Sequence, residues 1–301
     1  MGPDVWNDSL LHGDRRVKRP LEGAIDTHVH SAPDTIARAQ DDIELARSAA
    51  EAGMRAIVLK NHHFPTSDRA ALVMRHVPGI EVLGGLVLNA TAAGGLNAEA
   101  VRTSLQVGGR VFWMPTISAQ NHLDFVAGLD ASAHIQKLTS SRVPVPLLRD
   151  GRTVAELDPV LDLIAEGDAV LATGHLAPAE TVAVVDRART LGVKRIVVTH
   201  PELPLVSMPL EVQQRLAGLG VFFERCYLGI IEYDNASEVL AAARLVGVDS
   251  TILATDLGQA ANPPATVGLA AYHDRMAEAG MSESEWDTMA RRNPALLLGL
   301  D

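Results

Sequence analysis

The sequence predicts an α/β protein built as a (β/α)8 TIM barrel with one long loop after the fourth strand. Two observations carry this. Eight short apolar runs alternate with stretches of helical period, the pattern of a parallel sheet joined by crossover helices. The residues ending those runs are 30, 62, 89, 116, 175, 200, 224 and 256. They lie 24–32 positions apart at every step but one, close to the roughly 30 residues of one βα unit. The exception is the 59-residue step from 116 to 175, where the periodic pattern breaks. A chain of 301 residues, 47% hydrophobic, suits one such barrel over 1–301.

Residues 1–22 read as an N-terminal arm. The first strand is 24–30, AIDTHVH, whose alternation puts His28 and His30 on one face. A helix over 41–52 opens on Asp41 and Asp42 and stops at Gly53. The second strand is 55–62, RAIVLKNH. Ile57 and Leu59 should face the helices. Ala56, Val58, Lys60 and His62 should face inward, with His63 outward or upward at the tip. Pro65-Thr66 opens a helix reaching about residue 77. The third strand is 80–89, a helix follows at 96–107, and the fourth strand is 110–116. Residues 117–150 carry Pro144, Pro146 and several Ser and Thr without a period, and read as a lid loop over the mouth. The remaining strands are expected at 169–175, 194–200, 221–226 and 251–256. The remaining helices are expected at 153–166, 179–191, 209–219, 237–246 and 265–279. In 283–300, Asn293-Pro294 reads as an N-cap followed by proline at the first helical position.

The formal net charge of −11 argues against nucleic-acid binding and against docking on anionic membranes. No stretch has the length and apolar content of a signal peptide or a membrane span. The one cysteine, Cys226, fits a reducing, cytoplasmic setting. The apolar helices at 179–191 and 237–246 are accounted for by barrel packing. A homo-oligomer is compatible with the sequence but not demanded by it.

The chemistry gathers at the strand ends: His28 and His30, His62 with His63 beside it, Asn89, Thr116, His175, His200, Glu224 and Asp256. In a barrel all of these meet at the C-terminal face, where active sites lie. Runs such as VLATGH, RIVVTH and ILATD bury a strand and end it on a bare His or Asp, which is costly unless the polar group has a partner. One such histidine is an ordinary satisfied core residue. The whole set points to a metal centre. His12, His76, His122, His134 and His273 read as surface or loop residues. His122 and His134 are within reach of the site, but nothing singles them out. Lys60 reads as an inward lysine for an anionic substrate group, or as a bridge between metals if carboxylated. Glu224 reads either as a metal ligand or as a salt-bridge partner of Arg225 or a neighbour.

His28-x-His30, His175, His200 and Asp256, in that strand order, resemble the metal-site signature of the amidohydrolase superfamily, and RRNPALLLGL is similar to its closing helix. The resemblance implies one or two divalent metals, with Asp256 binding metal or moving a proton. Two departures matter. The fourth strand, VFWMPT, has neither the carboxylated lysine nor the glutamate that bridges many dinuclear members. The tip LKNHH is loosely similar to that of the polymerase and histidinol phosphatase barrels, which carries metal binding onto His62. The combination DTHVHSAPD, LKNHHFPT, ATGH, VTHPE and FFERC resembles a divergent branch, a non-haem diiron monooxygenase of diterpenoid biosynthesis. That likeness implies two iron ions on His28, His30, His62, His175, His200 and Asp256, with Glu224 or His63 completing the shell. Asp256, Lys60 and Glu224 would be the catalytic groups, hydroxylating an apolar, CoA-linked small molecule. Lys137, Arg142, Arg149 and Arg152 make the long loop locally basic, which suits phosphate, though a solvated loop reads equally well. The alternative is a zinc- or manganese-dependent hydrolase of the superfamily, acting on an amide, lactone or ester.

Overall fold

The computed structural model describes residues 20–129 and 142–300. The first strand, β1 (Ile25–His30), is followed by α1 (Asp42–Glu51), β2 (Ala56–Lys60) and α2 (Ser67–His76). Asp41 caps α1 through the amides of Ile43 and Glu44, and Glu44 returns a bond to the Asp41 amide. Next come β3 (Glu81–Leu83), β4 (Gly85–Val87), α3 (Ala98–Gln106), β5 (Val111–Trp113) and α4 (Gln120–Ala127). A hairpin, β6 (Leu148–Arg149) with β7 (Arg152–Thr153), leads into α5 (Leu157–Glu166) and β8 (Val170–Ala172). The chain continues through α6 (Pro178–Thr190), β9 (Arg195–Thr199), α7 (Leu210–Ala217), β10 (Phe222–Cys226), α8 (Tyr227–Tyr233) and α9 (Ala236–Val246). It ends with β11 (Thr251–Ala254), α10 (Ala265–Glu278), α11 (Glu283–Asp287) and α12 (Asn293–Leu298).

The staves are all parallel. They run β1-β2-β3 on one side and β4-β5-β8-β9-β10-β11 on the other. Two seams close the circle. At one, the amides of Asp256 and His30 donate to the oxygens of His28 and Leu257, joining β11 to β1. At the other, the expected third strand is broken at Gly84 into β3 and β4. Thr66 spans that gap: its amide donates to the Gly85 oxygen, and its hydroxyl donates to the Leu59 oxygen and accepts from the Gly85 amide. The result is the (β/α)8 barrel expected from the sequence.

Alternation sorts the residues as predicted. Ile57 and Leu59 pack with the helices. Ala56 and Val58 line the interior with Ile25, Trp113, Val197 and Ile252. The interior is plugged from below by α12, whose Ala295, Leu297 and Leu298 join that cluster, while Arg110 donates to the Leu298 oxygen at 2.7 Å.

Several boundaries differ. Residues 117–150 are not a plain loop: they contain α4 and enter the hairpin, and 130–141 lie outside the described residues, as do 1–19 of the expected arm. The helix expected from 153 begins at Leu157, because Arg152 and Thr153 pair in the hairpin. The helix α8 follows β10 directly and was not expected. Asn293 is not a cap. It lies inside the helical turn, and its amide donates to the oxygens of Val248 and Thr251, tying the last helix to β11. No helix among the described residues is long and apolar enough to cross a membrane.

Candidate metal centre

The C-terminal mouth of the barrel holds His28, His30, Lys60, His62, His63, His175, His200, Glu224 and Asp256, all buried. The alignment starts at Asp26, one turn of alternation below His28. Its carboxylate accepts from the Thr255 amide (3.0 Å), the Thr255 hydroxyl (2.5 Å) and the His28 amide (3.2 Å), locking β1 to β11. Burial pushes Asp26 up to about 6 against the pull of those bonds. This lock brings Asp256 opposite the two strand-β1 histidines. Asp256 Oδ1 lies 3.0 Å from His28 Nε2 and 3.1 Å from His30 Nε2. Three ligand atoms from His28, His30 and Asp256 therefore converge closely enough to hold one metal ion. His200 and Asp256 both sit at positive φ, 32° and 53°.

The far side of His28 is held by Glu224. Its Oε2 is 2.8 Å from His28 Nδ1, and its Oε1 accepts the Thr27 hydroxyl at 2.6 Å. A carboxylate at Nδ1 fixes the tautomer that leaves Nε2 facing Asp256. The salt bridge of Glu224 to Arg225 is not formed. Arg225 points to the opposite face, where it meets Glu202 and donates to Gln213 at 3.1 Å, as strand alternation requires. Cys226 Sγ is 3.9 Å from His28 Nδ1. Burial first and Glu224 second push its thiol well up, so it remains a thiol.

Lys60 reaches the same point from β2, its Nζ 2.9 Å from His28 Nε2 and 5.7 Å from the Trp113 ring. Burial lowers its pKa although Asp256 and Glu224 oppose the shift. Burial also disfavours a charge on His28, yet Asp256 and Glu224 outweigh it and Lys60 and raise His28 to about 9. Burial likewise opposes charge on Asp256, but His28 and His30 hold it well below the carboxylate range. Two carboxylates thus face a lysine and a protonated histidine.

Four other imidazoles of the mouth are held toward the neutral form. Burial, with Arg38 second, lowers His30 to about 3, and burial lowers His200 to about 3. His62 and His175 are held well below the usual histidine value by burial and neighbouring histidines or Lys60. Their rings form a chain: His30 to His62 at 4.9 Å, His62 to His175 at 5.9 Å and His175 to His200 at 5.0 Å. His62 Nδ1 lies 2.8 Å from the Thr116 hydroxyl, itself fixed by Asn89. His200 Nδ1 is buried without a hydrogen-bond partner. Neutral rings with exposed lone pairs are the donor set a divalent cation takes.

His63 is buried rather than turned outward, near the Thr91 hydroxyl at 3.5 Å. His122 is also not a surface residue. It is fully buried on α4, with Nδ1 2.9 Å from His175 Nδ1. Arg38 was missed as well. Its Nη2 lies 3.5 Å from His30 Nδ1, and its Nε donates to Asp34 at 2.7 Å. Nothing in the local pattern marks either residue, since each arrives from a connection whose path is not periodic. Arg142, Arg149 and Arg152 are exposed, and Lys137 and His134 lie outside the described residues.

Gly258 permits the approach of the next turn. At φ +127° it lies against the His30 backbone, where a Cβ would fall on the carbonyl carbon and oxygen. Gly258→Ala is expected to destabilise the protein by about 2 kcal/mol or more. A thermal melt beside the wild type checks it, and an unchanged midpoint would refute the contact.

Fold and site define a (β/α)8 barrel with a histidine-aspartate cluster at its mouth. Residues 23–224 match the model of a family of unknown function, DUF6282, and the chain belongs to that family. No curated protein matches it. Among solved structures, it resembles an amidohydrolase from Pseudomonas aeruginosa at 13% identity, covering 93% of this chain and 96% of that one, with a TM-score of 0.60. A Pseudomonas putida protein described as a 2-pyrone-4,6-dicarboxylic acid hydrolase aligns at 16% identity over 93% and 98% of the two chains, with a TM-score of 0.58. The 2,6-dihydroxybenzoate decarboxylase from Rhizobium aligns at 13% identity over 93% and 99%, with a TM-score of 0.55. At these identities the likeness is one of fold.

Proposed function

We propose that this protein is a metal-dependent hydrolase of the amidohydrolase type, acting on an amide, lactone or ester of a small molecule. The observation that carries the reading is the convergence of three ligand atoms at the barrel mouth: Asp256 Oδ1 lies 3.0 Å from His28 Nε2 and 3.1 Å from His30 Nε2, and all three fall within 4.8 Å of one another. His200 neighbours His28 with ring centroids 6.1 Å apart and His175 neighbours His200 at 5.0 Å, and the buried, unpartnered Nδ1 of His200 fits the same donor set. When bound there, a divalent cation such as zinc or manganese supplies Lewis acidity and makes water acidic near neutral pH. Glu224 keeps His28 in the tautomer that offers Nε2. Asp256 lies against His28 Nε2 at the mouth, so it is placed to accept a proton from an attacking water. Lys60 and Arg38 bring positive charge to the same wall and suit an anionic group on the substrate. The names of the similar proteins, a dicarboxylic acid hydrolase and a dihydroxybenzoate decarboxylase, are in keeping with a small acidic substrate.

The two-iron oxygenase reading has less support. A pair of ions is commonly bridged by a carboxylate, and both oxygens of Glu224 are already engaged, one with the Thr27 hydroxyl and one with His28 Nδ1. A carboxylated Lys60 would be needed in its place. The exposed Arg149 and Arg152 lend no particular weight to a CoA-linked substrate.

Elemental analysis of anaerobically purified protein, followed by a screen of lactones, esters and amides carrying a carboxylate, tests the proposal. Zinc or manganese with turnover of one of these classes is the expected result. Two irons per chain with substrate-dependent oxygen consumption would overturn it.

A further inference from the structure

Two consecutive residues of α4 close on the tip that carries His175. Asn121 donates from Nδ2 to the His175 backbone oxygen at 3.1 Å and to the Leu205 oxygen at 2.7 Å. His122 stacks on the His175 ring with centroids 4.9 Å apart, and the two Nδ1 atoms are separated by 2.9 Å. The His175 amide is taken by the Pro115 oxygen. Just before it, Gly174 at φ +60° lies against the Met114 and Pro115 oxygens, where a Cβ would clash. Backbone and ring of His175 are therefore both gripped from the segment that follows β5.

We propose that His122 is a positioning residue that sets the tautomer of His175, accepting its Nδ1–H so that His175 Nε2 keeps a lone pair for the cation. The inference rests on the metal-dependent reading above. A contact of this length between two ring nitrogens holds a single proton. If the proton belongs to His122, a neutral His175 carries its own on Nε2 and cannot be a ligand. If it belongs to His175, Nε2 is free to bind. Cation binding at Nε2 selects the second arrangement, and α4 becomes part of the metal site although none of its residues touches the ion.

The test compares wild type, His122→Phe and His122→Asn by cobalt(II) titration, read by visible absorption. Phenylalanine keeps a ring to stack and removes the acceptor. Asparagine places an amide oxygen where histidine has Nδ1. The phenylalanine variant should lose about 10- to 100-fold in cobalt affinity and show an altered spectrum. The asparagine variant should stay within about threefold of wild type with the wild-type spectrum. Equal affinity and spectra for wild type and His122→Phe overturn the inference alone. A wild type that takes up no divalent ion overturns the proposed function and this inference together. Should the phenylalanine variant not fold, nitrogen-15 spectra of zinc-loaded wild type decide. A proton on His175 Nδ1 supports the assignment, and one on Nε2 overturns it.

Discussion

His30→Asn is expected to weaken divalent-metal binding by about a hundredfold or more and to abolish turnover in protein purified without added metal. The shortened side chain withdraws Nε2 from Asp256 Oδ1, 3.1 Å away, and leaves two of the three convergent atoms. The ring also stacks on His62, so some stability is lost with it. The exposed His76 provides the control, because His76→Asn touches nothing at the mouth and should keep both metal and activity. Metal per chain and dissociation constants for the two variants decide the matter. Full occupancy in His30→Asn would remove the first strand from the site.

Metal affinity should rise about tenfold for each pH unit from 6 until it levels near pH 9. The reason is His28, which burial alone would keep neutral but which Asp256 and Glu224 raise to about 9. At pH 7 its Nε2 is protonated, and a cation must displace that proton before binding. Calorimetry in buffers of different ionisation enthalpy should find about one proton released at pH 7 and fewer as pH 9 is approached. The metal-free protein should move the other way. A histidine whose folded pKa is raised contributes stability that is complete below its unfolded value of 6.5 and is lost as pH climbs through about 9. A pH-independent affinity would show that His28 is already neutral, and the charge balance drawn for Asp256, Glu224 and Lys60 would be wrong.

Local periodicity settled a good deal of this protein. Strand alternation put His28 with His30 and turned Lys60 inward, since successive side chains on a strand take opposite faces whatever surrounds them. Equal spacing of the strand ends implied closure, and closure gathered His175, His200 and Asp256 on one rim. The tertiary structure decided the rest. Glu224 and Arg225 are neighbours in sequence, yet one holds His28 and the other meets Glu202, because only the folded barrel fixes what each face of β10 meets. Asn293 looks like a cap from its proline, but it ties α12 to β11 because Thr251 of the strand and Val248 just before it present two carbonyls there. His122 lies on a helix with no periodic warning, and its partner is 53 residues away. A hydrogen bond between distant segments depends on where the backbone brings two atoms together, and no pattern along one segment encodes that. The fold class and most of the candidate ligands are properties of the sequence read locally. Which groups orient them, and which nitrogen each offers, belongs to the packed structure.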